Sequence, residues 1–271
     1  MPRACLCVEY DGTGYHGWQY QHHSRSVQQV LQTALAKVLN HTVEVVCAGR
    51  TDTGVHASGQ IVHFDSPSDR TERGLVLGTN ANLPMDVSVR WARLVVPEFH
   101  ARFDAVERRY RYLILESRAR SALYAARAWC QSDTLDTAAM QHAADMLIGE
   151  HDFSTFRAAG CQAKHAVRSV RQLRVVRCDH WIVVDIAANA FLQHMVRNIV
   201  GYLWHVGSGR SDADRTPELL AARDRTKAPV AAPACGLYLT EVRYPEHFDL
   251  PQLHAEEEQL LPLSPLIPLI A

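Results

Sequence analysis

The sequence predicts an α+β protein made of two ferredoxin-like halves, each with the order β-α-β-β. Strand-like and helix-like segments follow one another in a similar order in residues 1–104 and again in residues 105–245. Antiparallel sheets of this kind can dock edge to edge and leave a cleft between them. We therefore expect the two sheets to form one extended sheet with a central active-site cleft.

The first half begins with a strand and an amphipathic helix. ACLCVEY, residues 4–10, has the character of a strand and ends at the turn-rich DGTGYHGWQ. SVQQVLQTALAKVLNH places its apolar residues on one helical face, with Ser26 at the N-cap position. Further strands are expected at about 42–48 and 60–65.

The second half repeats this pattern and is followed by a tail. Its predicted elements are a strand at 108–116, a helix at 134–149 that starts near Thr134 or Asp136, a hairpin at 169–179 and 180–188, a long buried helix from residue 189 that ends at Gly207 or Gly209, a short helix at 216–224 and a strand at 237–244. The tail, residues 246–271, is broken by proline and ends in apolar residues, so we expect it to be extended and either disordered or laid on a surface.

Composition excludes several classes of protein. With 271 residues, 47% of them hydrophobic, the chain has enough apolar material for a sizeable core. The longest apolar stretches are only as long as a strand, and no signal peptide is visible, so we expect a soluble cytoplasmic protein. Its seven cysteines show neither CxxC nor metal-type spacing, which favours free thiols in a reducing compartment and predicts no metal.

The distribution of charge is more informative than the net charge of −1. Residues 1–245 contain 28 basic and 24 acidic residues, a net charge of +4, and 25 of the basic residues are arginines. Arginine presents a planar fork that suits phosphate, although a GC-rich genome produces the same bias.

The segment AGRTDTGVHASGQ, residues 48–60, sets a carboxylate, Asp52, beside Arg50 in a loop rich in glycine, threonine and serine. A structural ion pair is one interpretation. Because glycines let the backbone approach a bound group and an arginine keeps a carboxylate ionised, a nucleophilic aspartate is the other. The triplet Asp52–Gly54 also occurs in aspartic proteases, but those enzymes need two such aspartates and this chain has one copy.

Two further segments contain candidate binding residues. Arg197 lies in the apolar helix FLQHMVRNIVG, where it is either a solvated residue or an arginine directed at an anion in the cleft. Tyr110 and Tyr112 share one face of the strand RRYRY, with Arg109 and Arg111 on the other. Aromatic faces beside basic side chains hold unstacked bases, although packing is the more common role of tyrosine in a strand.

Several segments together resemble the tRNA pseudouridine synthases of the TruA type. The matching segments run in the order of that family from about residue 3 to 245: YDGTGYHGWQYQ (10–21), AGRTDTGVHASGQ (48–60), FHARFDAVERRYRYL (99–113), FRAAGC (156–161), NAFLQHMVRNIVG (189–201) and APACGLYL (232–239). The second of these is highly specific.

The resemblance implies an enzyme that isomerises uridine to pseudouridine on the 3′ side of the tRNA anticodon loop and stem, at positions 38, 39 or 40 of the tRNA. It implies that Asp52 is catalytic, that Arg197 pairs with it, and that Arg50 helps to flip the target base. It further implies a homodimer that holds tRNA across both subunits.

The resemblance assigns the remaining site residues to the target base. Tyr110 falls on a tyrosine that stacks on the base, while Leu237 and Tyr238 match the apolar strand that lines the pocket. Breaking the N1–C1′ bond and joining C5 to C1′ moves no electrons or groups in or out, so no cofactor is expected. A catalytically silent RNA-binding protein on two ferredoxin-like units remains the alternative.

Overall fold

The computed structural model describes residues 1–251, which divide into two compact units. The first comprises Met1–Val106 together with residues 238–251, and the second comprises Glu107–Leu237. Helices and strands alternate along both units, which confirms the predicted α+β class.

The first unit contains a βαββαβ succession. Its elements are β1 (Arg3–Tyr10), α1 (Val27–Leu39), β2 (Val46–Cys47), β3 (His56–Asp65), α2 (Glu72–Asn82), β4 (Val87–Val95) and the late strand β10 (Leu237–Arg243), which belongs to this unit from Tyr238 onward. Strand β1 pairs antiparallel with both β3 and β4, whereas β2 and β10 pair with β3. Since β1 covers one edge of β3, the strands β2 and β10 share its other edge, and the order β4-β1-β3-β2 is that of a ferredoxin-like unit.

Helix α1 forms where its pattern predicts, and it shortens the strand that follows. The side chain of Ser26 accepts a hydrogen bond from the backbone N–H of Gln29, which confirms the predicted cap. The side chain of Gln28 donates to the carbonyl of Val45, and that of Gln32 accepts from its N–H, both at 3.2 Å. The strand expected at 42–48 is therefore only two residues long, because the backbone of Val45 is satisfied by the helix.

The second unit contains a four-stranded antiparallel sheet with helices. Its elements are β5 (Glu107–Glu116), β6 (Trp129–Gln131), α3 (Thr137–Asp145), β7 (Gly149–Asp152), β8 (Val167–Cys178), β9 (Trp181–Ala188), α4 (Met195–Gly207) and α5 (Thr216–Ala222). The strand order is β5-β9-β8-β7, with β6 parallel to β5. Strand β9 lies inside this sheet and every one of its residues is buried.

Helix α3 begins at one of its two predicted starts, whereas α4 begins later than its apolar pattern does. Asp136 caps α3 by accepting from the N–H groups of Ala138 and Ala139. Helix α4 begins at Met195, whereas the pattern began at residue 189, because His194 adopts a left-handed conformation with φ of +60°. The predicted hairpin is confirmed as β8 and β9.

The end of the described chain packs on the first unit. The prediction placed residues up to 245 in the second half, but by its contacts the chain from Tyr238 groups with the first unit, where β10 pairs with β3. Phe248, inside the predicted tail, lies with its ring 5.1 Å from that of Phe99. The rest of the predicted tail, from residue 252, lies outside the described residues. Within residues 1–251, none of the helices has the length and apolar character needed to span a membrane.

Candidate active site

The loop between β2 and β3, residues 49–55, carries Asp52 and is called the Asp52 loop below. Asp52 is half-buried, and its carbonyl accepts the N–H of Val55 at 3.1 Å, which closes a tight turn. Gly54 lies in that turn with φ of +77°, a conformation that favours glycine. Arg50 is exposed, so its guanidinium lies at the protein surface two residues before the carboxylate.

A second segment, from the turn after β1, fixes the position of the Asp52 loop. The N–H of Trp18 donates to the carbonyl of Thr51 at 3.0 Å, and the N–H of Gly54 donates to the carbonyl of Tyr15 at 3.3 Å. Gly17 has φ of +87°, and a Cβ atom on it would lie 2.7 Å from the Thr51 oxygen. Only glycine lets these two backbones approach so closely. The turn after β1 therefore fixes the position of the Asp52 loop.

A buried hydrogen-bond network that involves side chains of β1 and β3 supports the Asp52 loop. Gln60, fully buried on β3, donates to the carbonyl of Gly49 at 2.6 Å and to the hydroxyl oxygen of Tyr10 at 3.5 Å. The hydroxyl of Tyr10 also forms a hydrogen bond of 2.8 Å with the hydroxyl of Thr51, in which either group can be the donor. Satisfied buried networks favour one conformation, so the backbone on both sides of Arg50 is fixed.

Tyr238 lies at the base of this loop and contacts a histidine. Its ring stacks on that of His56 with 4.6 Å between centroids and 19° between planes. Nδ1 of the buried His56 accepts the N–H of Gly12 at 3.0 Å, so the stack links β10 to the turn after β1. Successive side chains leave a strand on opposite sides, and Leu237 therefore faces away from the side that Tyr238 occupies.

In the second unit, Tyr110 lies buried on β5 opposite Ile186 of β9. Its ring meets that of Phe191 edge to face, with 5.1 Å between centroids. The neighbouring arginines lie on the other face of the strand, where they bind the buried Asp185. Arg109 makes a two-point contact at 2.7 and 2.9 Å, and Arg111 a single contact at 3.2 Å. These two arginines therefore neutralise a buried acid.

Arg197, in the first turn of α4, is half-buried against the chain segment that precedes β10. Its Nε donates to the carbonyl of Ala232 at 2.9 Å, and its own carbonyl accepts the N–H of Ala232 at 2.9 Å. One turn further on, a Cβ atom on Gly201 would lie 2.2 Å from the carbonyl oxygen of Val230. Close backbone packing thus holds the guanidinium in place.

The same segment determines where Leu237 enters its strand. The hydroxyl of Tyr112 donates to the carbonyl of Pro233 at 2.7 Å, and burial raises the pKa of this tyrosine, which keeps it a donor. A Cβ atom on Gly236 would lie 2.7 Å from the ring of Tyr112 and from the carbonyl oxygen of Leu113. Leu237, the next residue, is buried.

The predicted site residues therefore divide between the units. Arg50, Asp52 and Tyr238 lie together in the first, while Tyr110, Arg197 and Leu237 lie in the second. In the described part of the chain, no three histidine, cysteine or acidic side chains converge as metal ligands.

Sequence reasoning did not single out the residues that build the Asp52 loop, namely Tyr10, Gly17, Trp18, His56 and Gln60. The available signal was the segment 10–21, which contains Tyr10, Gly17 and Trp18. Its contact with the Asp52 loop joins distant parts of the chain, so nothing local in the sequence indicated it.

Comparison with known proteins identifies the family of this chain. The family model described as tRNA pseudouridine synthase matches residues 6–104 and 143–245, which include Asp52 and Arg197. The chain belongs to this family.

Individual relatives agree with that assignment over nearly the whole chain. The tRNA pseudouridine synthase A of Idiomarina loihiensis is 51% identical over 264 residues, which cover 97% of this chain and 98% of the relative. The proteins of the same name from Enterobacter sp. and Klebsiella pneumoniae subsp. pneumoniae are 51% and 48% identical, covering 92% and 97% of this chain and 93% and 95% of their own.

A search of solved structures gave a weaker similarity. A chain from a crystal structure of a Cbf5-Nop10-Gar1 complex aligns with 87% of this chain and 57% of its own length, at 11% identity and a TM-score of 0.36. That similarity is too low to establish a shared fold.

Proposed function

We propose that this protein isomerises uridine to pseudouridine in the anticodon stem-loop of tRNA, with Asp52 as its catalytic residue. The observation that carries the proposal is the Asp52 loop itself. A half-buried carboxylate is held on a backbone fixed by Gly17, Trp18 and Gln60, in a chain that belongs to the tRNA pseudouridine synthases. Such preorganisation is what catalysis by a single carboxylate requires.

The reaction balances within the substrate. The N1–C1′ bond of uridine breaks, the uracil rotates, C5 bonds to C1′, the proton on C5 leaves and N1 is protonated. No electron and no group enters from outside. The reaction therefore needs an anion near the sugar or base, a positioning cation, a wall that retains the uracil, and a base, either Tyr110 or a water relayed by a phosphate, that takes the proton from C5.

The remaining site residues receive roles in this proposal. The guanidinium of Arg197, held by the carbonyl of Ala232, pairs with the carboxylate of Asp52. Tyr110 stacks on the target uracil, and Leu237 retains it. The exposed Arg50 enters the space that the flipped base leaves. Flipping costs a few kcal/mol, which arginine contacts to phosphate offset.

Tyr238 receives a supporting role within the binding site, because its ring stacks on that of His56, the residue that follows the Asp52 loop. We also infer that the protein works in the cytoplasm as a homodimer and that one tRNA contacts both subunits. Uridines at positions 38, 39 and 40 of the tRNA are the proposed targets. Transcripts in which each is replaced by cytidine would identify the positions modified.

Tritium release from tRNA labelled at C5 of uridine tests the proposal, since loss of that hydrogen accompanies formation of the new bond. The wild type should release tritium without any added cofactor. Asp52→Ala should lower turnover by at least about 10³-fold, while its affinity for tRNA changes by less than about tenfold. Asp69→Ala, the same change at an exposed aspartate, is the matched control and should behave as the wild type.

Two outcomes would contradict the proposal. A tenth of the wild-type activity surviving in Asp52→Ala would remove Asp52 from the chemistry. If the wild type binds tRNA tightly and releases no tritium, the alternative of a catalytically silent RNA-binding protein is favoured.

A further inference from the structure

The first unit presents a largely exposed aromatic ring at a short loop before β5. The ring belongs to Phe103, 74% exposed, in the loop of residues 99–104, called the Phe103 loop below. On one side the ring stacks on the imidazole of His100, with 4.2 Å between centroids and 28° between planes. The guanidinium carbon of Arg102 lies 5.7 Å from the centre of the ring.

Hydrogen bonds within the Phe103 loop hold it in one conformation. The N–H of His100 donates to the carboxylate of Asp104 at 2.7 Å. Nδ1 of His100 accepts the N–H groups of both Arg102 and Phe103 at 3.2 Å. The ring of Phe103 is therefore held on a rigid backbone.

Residues from the body of the unit anchor the same loop. The N–H of Ala101 donates to Nδ1 of the buried His63 at 3.1 Å, and the carbonyl of Ala101 accepts the hydroxyl of Tyr244 at 2.6 Å. Burial lowers the pKa of His63 to about 4, so this imidazole is neutral near pH 7 and its nitrogen is available as an acceptor.

The Phe103 loop lies beside the Asp52 loop. Phe99 and Ala101 share one core cluster with Ala48, which is two residues before Arg50. Burial raises the pKa of the nearby Cys47 to about 12, and the charges of both Arg50 and Arg102 act against that increase. The two guanidinium groups therefore lie close enough to one thiol for both to influence it.

We propose that Phe103 is a stacking platform for an unpaired nucleotide of bound tRNA, next to the nucleotide that reacts at Asp52, and that Arg102 binds an adjacent phosphate. This inference rests on the proposed function for the identity of the RNA. Every base has a face that stacks on an aromatic ring, and cationic side chains beside the ring attract the phosphates. The imidazole of His100 supports one side of the Phe103 ring, and most of the surface of Phe103 is exposed.

The chemistry around the ring favours RNA over a second copy of the chain. Phenylalanine and arginine are also common in protein–protein interfaces. RNA is favoured here because the exposed Arg102 and the exposed Arg50 both act on the thiol of Cys47, and two neighbouring guanidinium groups suit phosphate. A rigid ring also loses little conformational entropy when it binds, which suits a site for a mobile nucleotide.

Binding of unmodified tRNA to Phe103→Ala, in the Asp52→Ala background so that no turnover occurs, tests the platform. Affinity should fall by about five- to 150-fold. Phe103→Trp should restore it, which a merely structural role does not predict. Met85→Ala, which removes another fully exposed apolar side chain from the same unit, is the matched control and should bind as the parent does.

Salt dependence separates the two groups of the platform. The slope of log affinity against log salt concentration should stay unchanged in Phe103→Ala, because no charge is lost. In Arg102→Ala the slope should decrease by about 0.7, the value for one phosphate contact on a single strand.

Three results would overturn the inference. The first is parental affinity in Phe103→Ala. The second is loss of binding that Phe103→Trp does not restore. The third is a lower mass for Phe103→Ala than for its parent in sedimentation, together with tRNA binding that recovers at high protein concentration. That result would show that the ring contacts a second copy of the chain. A wild type that binds tRNA but releases no tritium would defeat the proposed reaction alone, because the platform is measured by binding.

Discussion

Replacing Gly17 by alanine would test whether the turn after β1 positions the catalytic loop. A Cβ atom there would lie 2.7 Å from the carbonyl oxygen of Thr51 and 3.1 Å from the carbonyl carbon of Asp52. Both neighbours are main-chain atoms, so no flexible side chain can move aside. The added methyl group must displace the Asp52 loop.

The size of the effect follows from these distances. Ordinary contacts of a Cβ atom begin at 3.4 Å, so the Asp52 loop must move by about 0.7 Å. Misplacement by about 1 Å costs on the order of a hundredfold in rate, and we therefore expect kcat of Gly17→Ala to fall about tenfold. The positive φ of +87° adds a loss of stability of about 1–2 kcal/mol in an alanine variant.

Gly209→Ala is the matched control, because Gly209 has φ of +73° but a Cβ atom there meets nothing within 4 Å. Both variants should lose similar stability from the backbone conformation, measured by urea unfolding. Only Gly17→Ala should lose kcat in the tritium-release assay. Equal kcat in the two variants would refute the view that the turn after β1 determines the position of Asp52.

Two further predictions concern titratable groups. Because burial lowers the pKa of His63 from 6.5 to about 4, the folded protein binds fewer protons than the unfolded chain in this range, and its free energy of unfolding should fall by about 2 kcal/mol from pH 7 to pH 5. Urea unfolding of His63→Asn, which keeps a hydrogen-bond acceptor, should show a smaller fall, and an unchanged one would contradict this assignment. Burial raises the pKa of the Cys161 thiol, but two backbone N–H groups and the charge of Arg157 outweigh it and lower the pKa overall, so Cys161 should be alkylated before the buried Cys5 and Cys47. Mass spectrometry after brief treatment with iodoacetamide would reveal the order, and earlier labelling of Cys5 would contradict it.

Elements that bury a clear apolar face were predictable, and those with a weaker pattern were not. Helix α1 has five buried apolar residues and a serine cap, so its sequence alone defines it. Helix α2 was missed, because it buries only Leu75 and Thr79 and contains Gly74 and Gly78, which lower its helical propensity. It forms because tertiary contacts, such as that of Gly78 against Val38, compensate for the weak propensity.

The candidate site was predictable only where its residues are neighbours in sequence. Arg50 and Asp52 stand out because glycine and threonine surround them in one loop. The contact of Gly17 with that loop joins segments more than thirty residues apart. The stacking of Tyr238 on His56 joins residues that are 182 positions apart in the sequence. No local pattern encodes either contact, since both depend on how the sheet brings strands together.

The pairing of β10 with β3 has a consequence for synthesis of the protein on the ribosome. Tyr238 of β10 contacts His56 of β3 in a parallel strand pair. His56 is only four residues after Asp52 in the sequence. When the first 106 residues of the nascent chain have emerged from the ribosome, strand β10, which packs at the base of the Asp52 loop, has therefore not yet been synthesised. A product translated from a messenger RNA truncated before codon 238 would lack this strand pair. The Asp52 loop therefore gains its full support only after translation has passed that codon.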